Sequence, residues 1–329
     1  MVAGARAAVV LLTTAVSVHA LEPKTLTAED WNEIRPLFSL VEQTASGELT
    51  PTEVALPWQC HFLNAEAGNV FVPFMVGIQP AAFTSYPLGM YLRVVKRGAP
   101  APAPGPRDAL AQYPFEDAAI FDRPADGRIS RAFAAPPGEY DVYVALTERT
   151  TPEHPAARSL VLKREVNIPE LRPDLSVSSI FVLDKSEVDS RNRRLNFEEQ
   201  LDEPYVWWGT KLTPSFRTTF GRSDKLSVTF VVYNAASAGN DKPDVEVEYA
   251  FLRDTGGAEV FFVKTRPEIF SAETLRPEFS LSSGDLIVAG QEMPLLSFPD
   301  GRYRLAIKVT DKVSGKSLTR DVNFNLTGF

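Results

Sequence analysis

Alternation of apolar and polar residues along the chain is the feature that most restricts its fold. In Val70–Ile78 and in Val245–Phe251 every second residue is apolar, and Glu246 and Glu248 fill positions between the apolar residues of the second run. Because successive side chains of a β-strand point to opposite faces, this pattern predicts half-buried strands in antiparallel sheets. The 26 Pro and 19 Gly residues supply turns between such strands. The sequence therefore predicts an all-β protein.

Two segments far apart in the chain share one pattern. Residues 137–148 and 300–311 each contain a turn with Gly, a charged residue, a Tyr, an alternating strand, and then Thr followed by an acidic residue. We interpret this as a tandem duplication of an immunoglobulin-like or fibronectin-like antiparallel β-sandwich. Tyr140 and Tyr303 match the tyrosine corner of such sandwiches, in which the hydroxyl bonds to the backbone, so both residues are predicted to be structural.

The first twenty residues have the three parts of a secretory signal peptide. Arg6 provides the positive region, residues 7–16 form a short apolar stretch, and residues 18–20 fit a cleavage site after Ala20. The apolar stretch is about ten residues long, whereas a membrane-spanning helix needs about 20. We therefore expect a secreted or periplasmic protein with no transmembrane segment in the mature chain. The single Cys permits no internal disulfide, which favours a bacterial origin.

A short helix is predicted between the signal peptide and the first sandwich. Thr27 and Asp30 have the spacing of a helix N-terminus with a capping side chain. Pro36 is expected to end this helix after about two turns, unless a second helix begins there. A Pro-stiffened connector at residues 169–173 separates the two sandwiches. The predicted parts are residues 1–20 (signal peptide), 21–50 (N-terminal segment with a short helix), 51–170 (first sandwich) and 171–329 (second sandwich).

The second predicted sandwich resembles a known module. Residues 175–329 are similar to the β-sandwich of secreted bacterial proteins, some of which carry a GWxTD domain. The resemblance is carried by Leu175–Ile180, Trp208–Pro214, Phe220–Asn234, Tyr249–Arg253, the hairpin from Gly301 and the ending Val322–Phe324. The Gly-Trp-x-Thr-Asp motif itself is absent, and residues 207–210 read Trp-Trp-Gly-Thr. The resemblance implies export and a sandwich fold, and it implies no catalytic residues.

Composition and residue spacing argue against several classes of activity. Lys and Arg number 34 against 42 Asp and Glu, a formal charge of −8 without a basic stripe, which disfavours nucleic-acid binding. One Cys and three His are too few for a usual zinc site, and no Gly-x-Ser-x-Gly motif occurs. Cys60 and His61 are adjacent, but neighbours on a strand point to opposite faces and cannot form a catalytic pair. We expect no enzyme activity and no cofactor.

Two polar clusters contain the candidate ligands for a metal ion. Asp184, Glu187 and Asp189 are predicted to lie in one loop. Calcium prefers several hard oxygen ligands and is abundant outside cells, so it is the ion that such a cluster would bind. Their spacing is not that of an EF-hand, and linkers of this polarity are usually just solvated. These residues are therefore a weak calcium candidate, and Asn240, Asp241 and Asp244 in a second polar loop are another of equal weight.

Tyr205, Trp207 and Trp208 form the densest aromatic cluster of the sequence. Exposed flat rings stack on sugars or anchor a protein partner, so these residues are candidate ligand-binding residues. In the alternative interpretation one Trp fills the sandwich core and the other covers its edge. Alternation along a strand favours this alternative, because it buries one residue of the pair.

Three functions are compatible with these patterns. The favoured one is a non-enzymatic exported protein that acts as an interaction or scaffolding module at the bacterial envelope. The second is carbohydrate binding through Trp207 or Trp208, and the third is an accessory hydrolase whose acidic residues we do not identify. The expected partner is a protein or a glycan of the cell envelope.

Overall fold

The structure is a computed structural model, and it describes residues 26–51, 56–79, 81–99, 115–124, 126–150, 157–189, 195–207 and 209–328. Strands predominate in these ranges, and they form antiparallel sheets in which only one short strand pair is parallel. The prediction of an all-β protein is confirmed. The predicted signal peptide, residues 1–20, lies outside the described residues and stays a prediction.

The chain divides into two compact units. The N-terminal unit contains the described residues of Val16–Glu170 and Phe197–Pro204. The C-terminal unit contains the described residues of Leu171–Asn196 and Tyr205–Phe329. Phe197–Pro204 falls within the range that the sequence analysis assigns to the second sandwich, yet its packing groups it with the N-terminal unit.

Two sheets form the N-terminal unit. Its strands are β1 (Trp58–Cys60), β2 (Leu63–Asn64), β3 (Val70–Gly77), β4 (Leu88–Lys96), β5 (Phe115–Phe121), β6 (Arg128–Ala135), β7 (Gly138–Glu148) and β8 (Ser159–Ile168). In one sheet β3 pairs with β1, β2 and β6, and the other sheet has the order β5-β4-β7-β8. Strand β3 is buried along its whole length. Both faces of this strand are therefore covered, and the expectation of a half-buried strand is wrong here, because Phe71, Pro73 and Met75 between the alternating residues are apolar as well.

Helix α1 (Ala28–Ser46) begins where the sequence analysis expects a helix. The Thr27 hydroxyl accepts a hydrogen bond from the Asp30 N–H at 3.1 Å, and the Asp30 carboxylate accepts one from the Thr27 N–H at 2.9 Å. These reciprocal bonds satisfy two donors that would otherwise be unpaired at the first turn. The predicted N-terminal cap is confirmed.

The same helix runs through Pro36, so the expectation that Pro36 ends it is wrong. A proline inside a helix lacks one backbone hydrogen bond, and its ring crowds the preceding turn. Ile34, Leu37 and Val41 are buried in a cluster with side chains of the β5-β4-β7-β8 sheet, including Tyr91. This burial of apolar surface offsets the local penalty of the proline, because packing contributes more to most protein helices than propensity does.

Helix α2 (Phe197–Asp202) completes the N-terminal unit. The Phe197 ring meets the Phe71 ring edge-on at a centroid distance of 6.2 Å, Leu201 is buried, and the Asp202 carboxylate pairs with Arg131 on β6. These contacts explain why residues 197–204 belong to this unit. Neither of the two helices in the described ranges has the length and apolarity needed to cross a bilayer.

Two sheets also form the C-terminal unit. Its strands are β9 (Ser176–Val177), β10 (Phe181–Val188), β11 (Val206–Trp207), β12 (Thr210–Pro214), β13 (Thr219–Gly221), β14 (Lys225–Tyr233), β15 (Val245–Asp254), β16 (Glu259–Lys264), β17 (Glu268–Phe270), β18 (Ile287–Pro294), β19 (Gly301–Asp311) and β20 (Ser317–Thr327). One sheet has the order β11-β12-β10-β14-β18, with β9 beside β14. The other has the order β13-β20-β19-β15-β16, with β17 beside β15.

A single core lies between these two sheets. It contains Val228 and Phe230 of β14 together with Tyr249 and Phe251 of β15 and Ile307 of β19. On β15 the buried residues alternate with half-buried ones, so the pattern read from the sequence corresponds to one face in the core and one face turned outward. This arrangement of two antiparallel sheets around one core is a β-sandwich.

Candidate functional site

The two repeated tyrosines make the same contact in the two units. The Tyr140 hydroxyl donates to the backbone carbonyl of Pro136 at 2.9 Å, and the Tyr303 hydroxyl donates to that of Pro299 at 2.6 Å. In each case the acceptor lies four residues before the tyrosine, and both rings are buried. Each hydroxyl therefore stabilises the turn that precedes its strand, β7 or β19. This role is structural, and neither tyrosine side chain is available to bind a ligand.

The aromatic cluster lies mostly inside the C-terminal unit. The ring of Trp207 meets that of Phe181 edge-on at a centroid distance of 4.6 Å, and Tyr205 meets Phe181 at 6.3 Å. Trp207 is 8% exposed and Tyr205 is 6% exposed. A sugar-stacking platform needs an exposed ring face, which these two residues do not offer. Trp208 lies outside the described residues, so its role stays a prediction.

The acidic calcium candidates do not converge. Asp184 and Glu187 lie on strand β10, so the expectation of one common loop is wrong. Asp184 pairs with Arg217 at 3.2 Å and Glu187 with Lys185 at 2.6 Å, while Asp189 follows the end of the strand. The side chains of Arg217 and Lys185 therefore already pair with the carboxylates of Asp184 and Glu187. Across the described ranges, no three His, Cys, Asp or Glu side chains are placed to hold a metal ion.

Cys60 and His61 lie at the end of β1 and are unsuited to nucleophilic chemistry. Burial raises the pKa of the Cys60 thiol to about 11, against a smaller opposing effect of a hydrogen bond with Trp58. Burial lowers the pKa of His61 to about 3. Because the thiolate is the reactive form of cysteine and a general base needs a pKa near the working pH, neither residue is tuned for catalysis.

Buried ion pairs in the N-terminal unit are features that the sequence analysis missed. The Arg131 guanidinium lies between the carboxylates of Asp117 and Asp202, and its Nε donates to Asp117 at 2.8 Å. The Arg93 guanidinium donates to Glu42 of helix α1 at 2.7 Å. Both arginines are buried, so their charges need these partners. Arg93 was the available signal, because it interrupts the otherwise apolar run from Leu88 to Val95 on β4.

The most exposed apolar strand is β16, at the edge of its sheet. Val260 is 44% exposed and Phe261 is 65% exposed, whereas Phe262 turns inward and its ring lies 4.8 Å from that of Phe298. The other large apolar side chains with comparable exposure in the described ranges are scattered, at Leu49, Val188, Leu296 and Val313. Adjacent exposed apolar residues on an edge strand are typical of a protein-binding surface. We call residues 259–264 the β16 edge.

Comparisons with known proteins do not identify a family. No protein-family model and no curated protein matches the sequence. Trypsin-activated α2-macroglobulin from Escherichia coli is 12% identical at a TM-score of 0.25, and the match covers 83% of this chain and 17% of that chain. Salmonella α2-macroglobulin reacted with methylamine is 12% identical at a TM-score of 0.22, with coverages of 84% and 17%. The chain thus spans less than a fifth of these proteins, and such TM-scores do not establish a shared fold.

Proposed function

We propose that this protein is an exported, non-enzymatic interaction module of the bacterial envelope, and that it binds a protein partner through the β16 edge. The observation that carries this proposal is the exposure of Val260 and Phe261 on a strand whose outer side has no partner strand in the described ranges. An incoming strand would pair with the free backbone groups of such an edge, and its side chains would cover the exposed apolar ones.

The chemistry of the described residues supports a binding role over catalysis. The Cys60 thiol and the His61 imidazole have pKa values far from neutrality, and the Asp184 and Glu187 carboxylates are held in ion pairs. The burial of Trp207 also weakens the alternative of carbohydrate binding. Protein binding requires only an accessible surface of suitable shape and polarity, and the β16 edge supplies one.

Two further parts of this proposal concern origin and location. We propose that the two units arose by duplication, since Gly138 and Gly301 have similar φ angles of 145° and 151°, which favour glycine, and each lies two residues before its corner tyrosine. We propose export on the basis of residues 1–20. Amino-terminal sequencing of protein recovered from the periplasm should begin at Leu21, and recovery of the full chain from the cytoplasm alone would contradict export.

Photo-crosslinking in intact cells tests the proposed binding surface. Replacement of Phe261 by benzoylphenylalanine should give a discrete crosslinked product on irradiation, because the ring would lie against the bound partner. The matched control places the same amino acid at Val188, which is 84% exposed on strand β10 of the same unit. We expect little or no product from the control. Failure to crosslink at Phe261, or equal products from both positions, would overturn the proposed surface, whatever the identity of the partner.

A further inference from the structure

The β16 edge has a sequence that complements itself. Its residues read Glu-Val-Phe-Phe-Val-Lys, so reading them backwards gives the same apolar residues with the two terminal charges exchanged. Two such strands in antiparallel orientation bring the acidic end of one to the basic end of the other. In parallel orientation like charges would meet, which is unfavourable across neighbouring strands.

The register of β16 on β15 places this complementarity on one face of the sheet. Glu259, Phe261 and Lys264 pair with positions of β15 that alternate with the buried residues Tyr249 and Phe251, so all three lie on the face turned away from the core. An irregularity in the pairing adds one residue between Phe261 and Lys264. The outer face of the strand therefore presents one exposed aromatic ring between an acid and a base.

We propose that the partner of the β16 edge is a second copy of this chain. This inference rests on the proposed binding function of that edge. The two copies pair antiparallel about a two-fold axis beside Phe261, which joins their sheets into one. Each Phe261 then lies next to its symmetry mate. Because β16 carries one extra residue between Phe261 and Lys264, the same register brings Glu259 of each copy to Lys264 of the other.

The existing ion pairs of these end residues are compatible with the pairing. Glu259 accepts from Arg304 at 2.6 Å and 3.0 Å, and Lys264 pairs with Glu248. Both ion pairs are on the solvent side of the sheet, where an ion pair contributes little to stability. Glu259 and Lys264 can therefore also interact with the opposite charge of a second copy. The charges thus select orientation, while the apolar side chains and the backbone hydrogen bonds supply most of the affinity.

A six-residue strand pair buries less surface than a standard protein interface. Stable interfaces bury about 1,200–2,000 Å² in total, and a small one gives a weak complex. We therefore expect an equilibrium between monomer and dimer whose position depends on protein concentration.

Sedimentation velocity of the purified mature protein measures this equilibrium. The sedimentation coefficient should rise with concentration between roughly 5 and 200 µM, the range in which a dimer with a dissociation constant of tens of micromolar forms. Phe261→Lys should remain monomeric over the whole range, because it places a cation beside its own symmetry mate. Val188→Lys, a charge added at an exposed position away from the edge, should behave as the wild type. A monomeric wild type, or loss of the dimer in both variants, would overturn the proposal.

Disulfide trapping tests the register. Cys60 is the only cysteine of the chain, so Cys60→Ser gives a cysteine-free background. In that background Phe261→Cys should form a covalent dimer on mild oxidation, since opposed residues of antiparallel strands are about 4.5–5.5 Å apart at Cα, within disulfide reach. Val188→Cys should stay monomeric. Equal trapping of both variants would show random collision and would contradict the register.

These outcomes separate this inference from the proposed function. If the purified protein stays monomeric while benzoylphenylalanine at position 261 crosslinks a different envelope protein, the self-pairing is wrong and the binding function stands. If neither self-association nor a crosslink occurs, both are wrong. Far-ultraviolet circular dichroism of each variant verifies that it is folded, which the exposure of Phe261 and Val188 leads us to expect.

Discussion

His61 makes the stability of the N-terminal unit depend on pH. Its side chain is 2% exposed, and burial lowers its pKa to about 3 from an ordinary value near 6.5. The folded protein therefore keeps the imidazole neutral in mild acid, whereas the unfolded chain binds a proton there. Since the unfolded state takes up more protons as the pH falls below about 6.5, stability is full above this pH and declines below it.

The size of this effect follows from the two pKa values. One unit of pKa difference corresponds to about 1.4 kcal/mol, so His61 alone should lower the free energy of unfolding by about 2 kcal/mol between about pH 7 and pH 5. The loss between pH 7 and pH 5 is set by the ordinary pKa of histidine, as long as the pKa in the folded state lies below about 5. A still lower folded pKa does not change the loss over this pH range. The loss should continue towards pH 3, where the folded state also binds the proton.

Urea denaturation at the two pH values provides the assay, with His61→Gln as the comparison. Gln carries no titrating group, so it removes this pH dependence even if its own stability differs. In a Trp207→Phe, Trp208→Phe background tryptophan fluorescence follows the N-terminal unit, because the remaining Trp31 and Trp58 both belong to it. The Trp58 ring stacks on that of the buried Phe74 at a centroid distance of 4.6 Å. The decline from pH 7 to pH 5 should be about 2 kcal/mol larger in the wild type than in the variant. Equal declines would refute the assignment of a buried neutral imidazole.

Three further predictions concern stability and reactivity. Tyr303→Phe removes the hydroxyl that donates to a backbone carbonyl, and it should lower the free energy of unfolding of the C-terminal unit by about 0.5–1.5 kcal/mol in urea denaturation. Arg131→Met should lower the free energy of unfolding of the N-terminal unit by about 3–5 kcal/mol, because it leaves the buried carboxylate of Asp117 unpaired. Arg304→Met, at a surface ion pair, should lower the free energy of unfolding by less than about 1 kcal/mol. Equal losses in the two variants would contradict the greater importance of the buried ion pair. Cys60 should react with iodoacetamide at pH 8 much more slowly than it does in urea, since its folded pKa is about 11, and equal rates would show an accessible thiolate.

Strand assignment was accessible from the sequence because it depends on local periodicity. The run from Val245 to Phe251 alternates between apolar and other residues, and β15 follows that alternation in its burial. The cap at Thr27 was accessible for the same reason, since its partner Asp30 is three residues away. The length of helix α1 was not, because passage through Pro36 depends on packing against strands that lie far along the chain.

The candidate site shows the same division between local and distant information. The aromatic cluster attracted attention in the sequence, but Trp207 is buried because Phe181, 26 positions earlier, packs against its ring. The β16 edge was overlooked, because a short apolar run such as residues 260–263 has the composition of an interior strand. Its exposure depends on the sheet order, in which β15 pairs with β19 on one side and with β16 on the other.

The amino-acid sequence by itself determined the β class, the helix start at Thr27 and the repeated Gly-x-Tyr turns, since each of these is a property of neighbouring residues. Only the tertiary structure decided the grouping of residues 197–204 with the N-terminal unit, the pairing of buried Arg131 with Asp117, and the edge position of β16. The physical reason is that burial and strand order arise from contacts between residues that are distant in the chain. Local periodicity states which face of a strand is apolar, and it does not state which neighbour, if any, covers its edge.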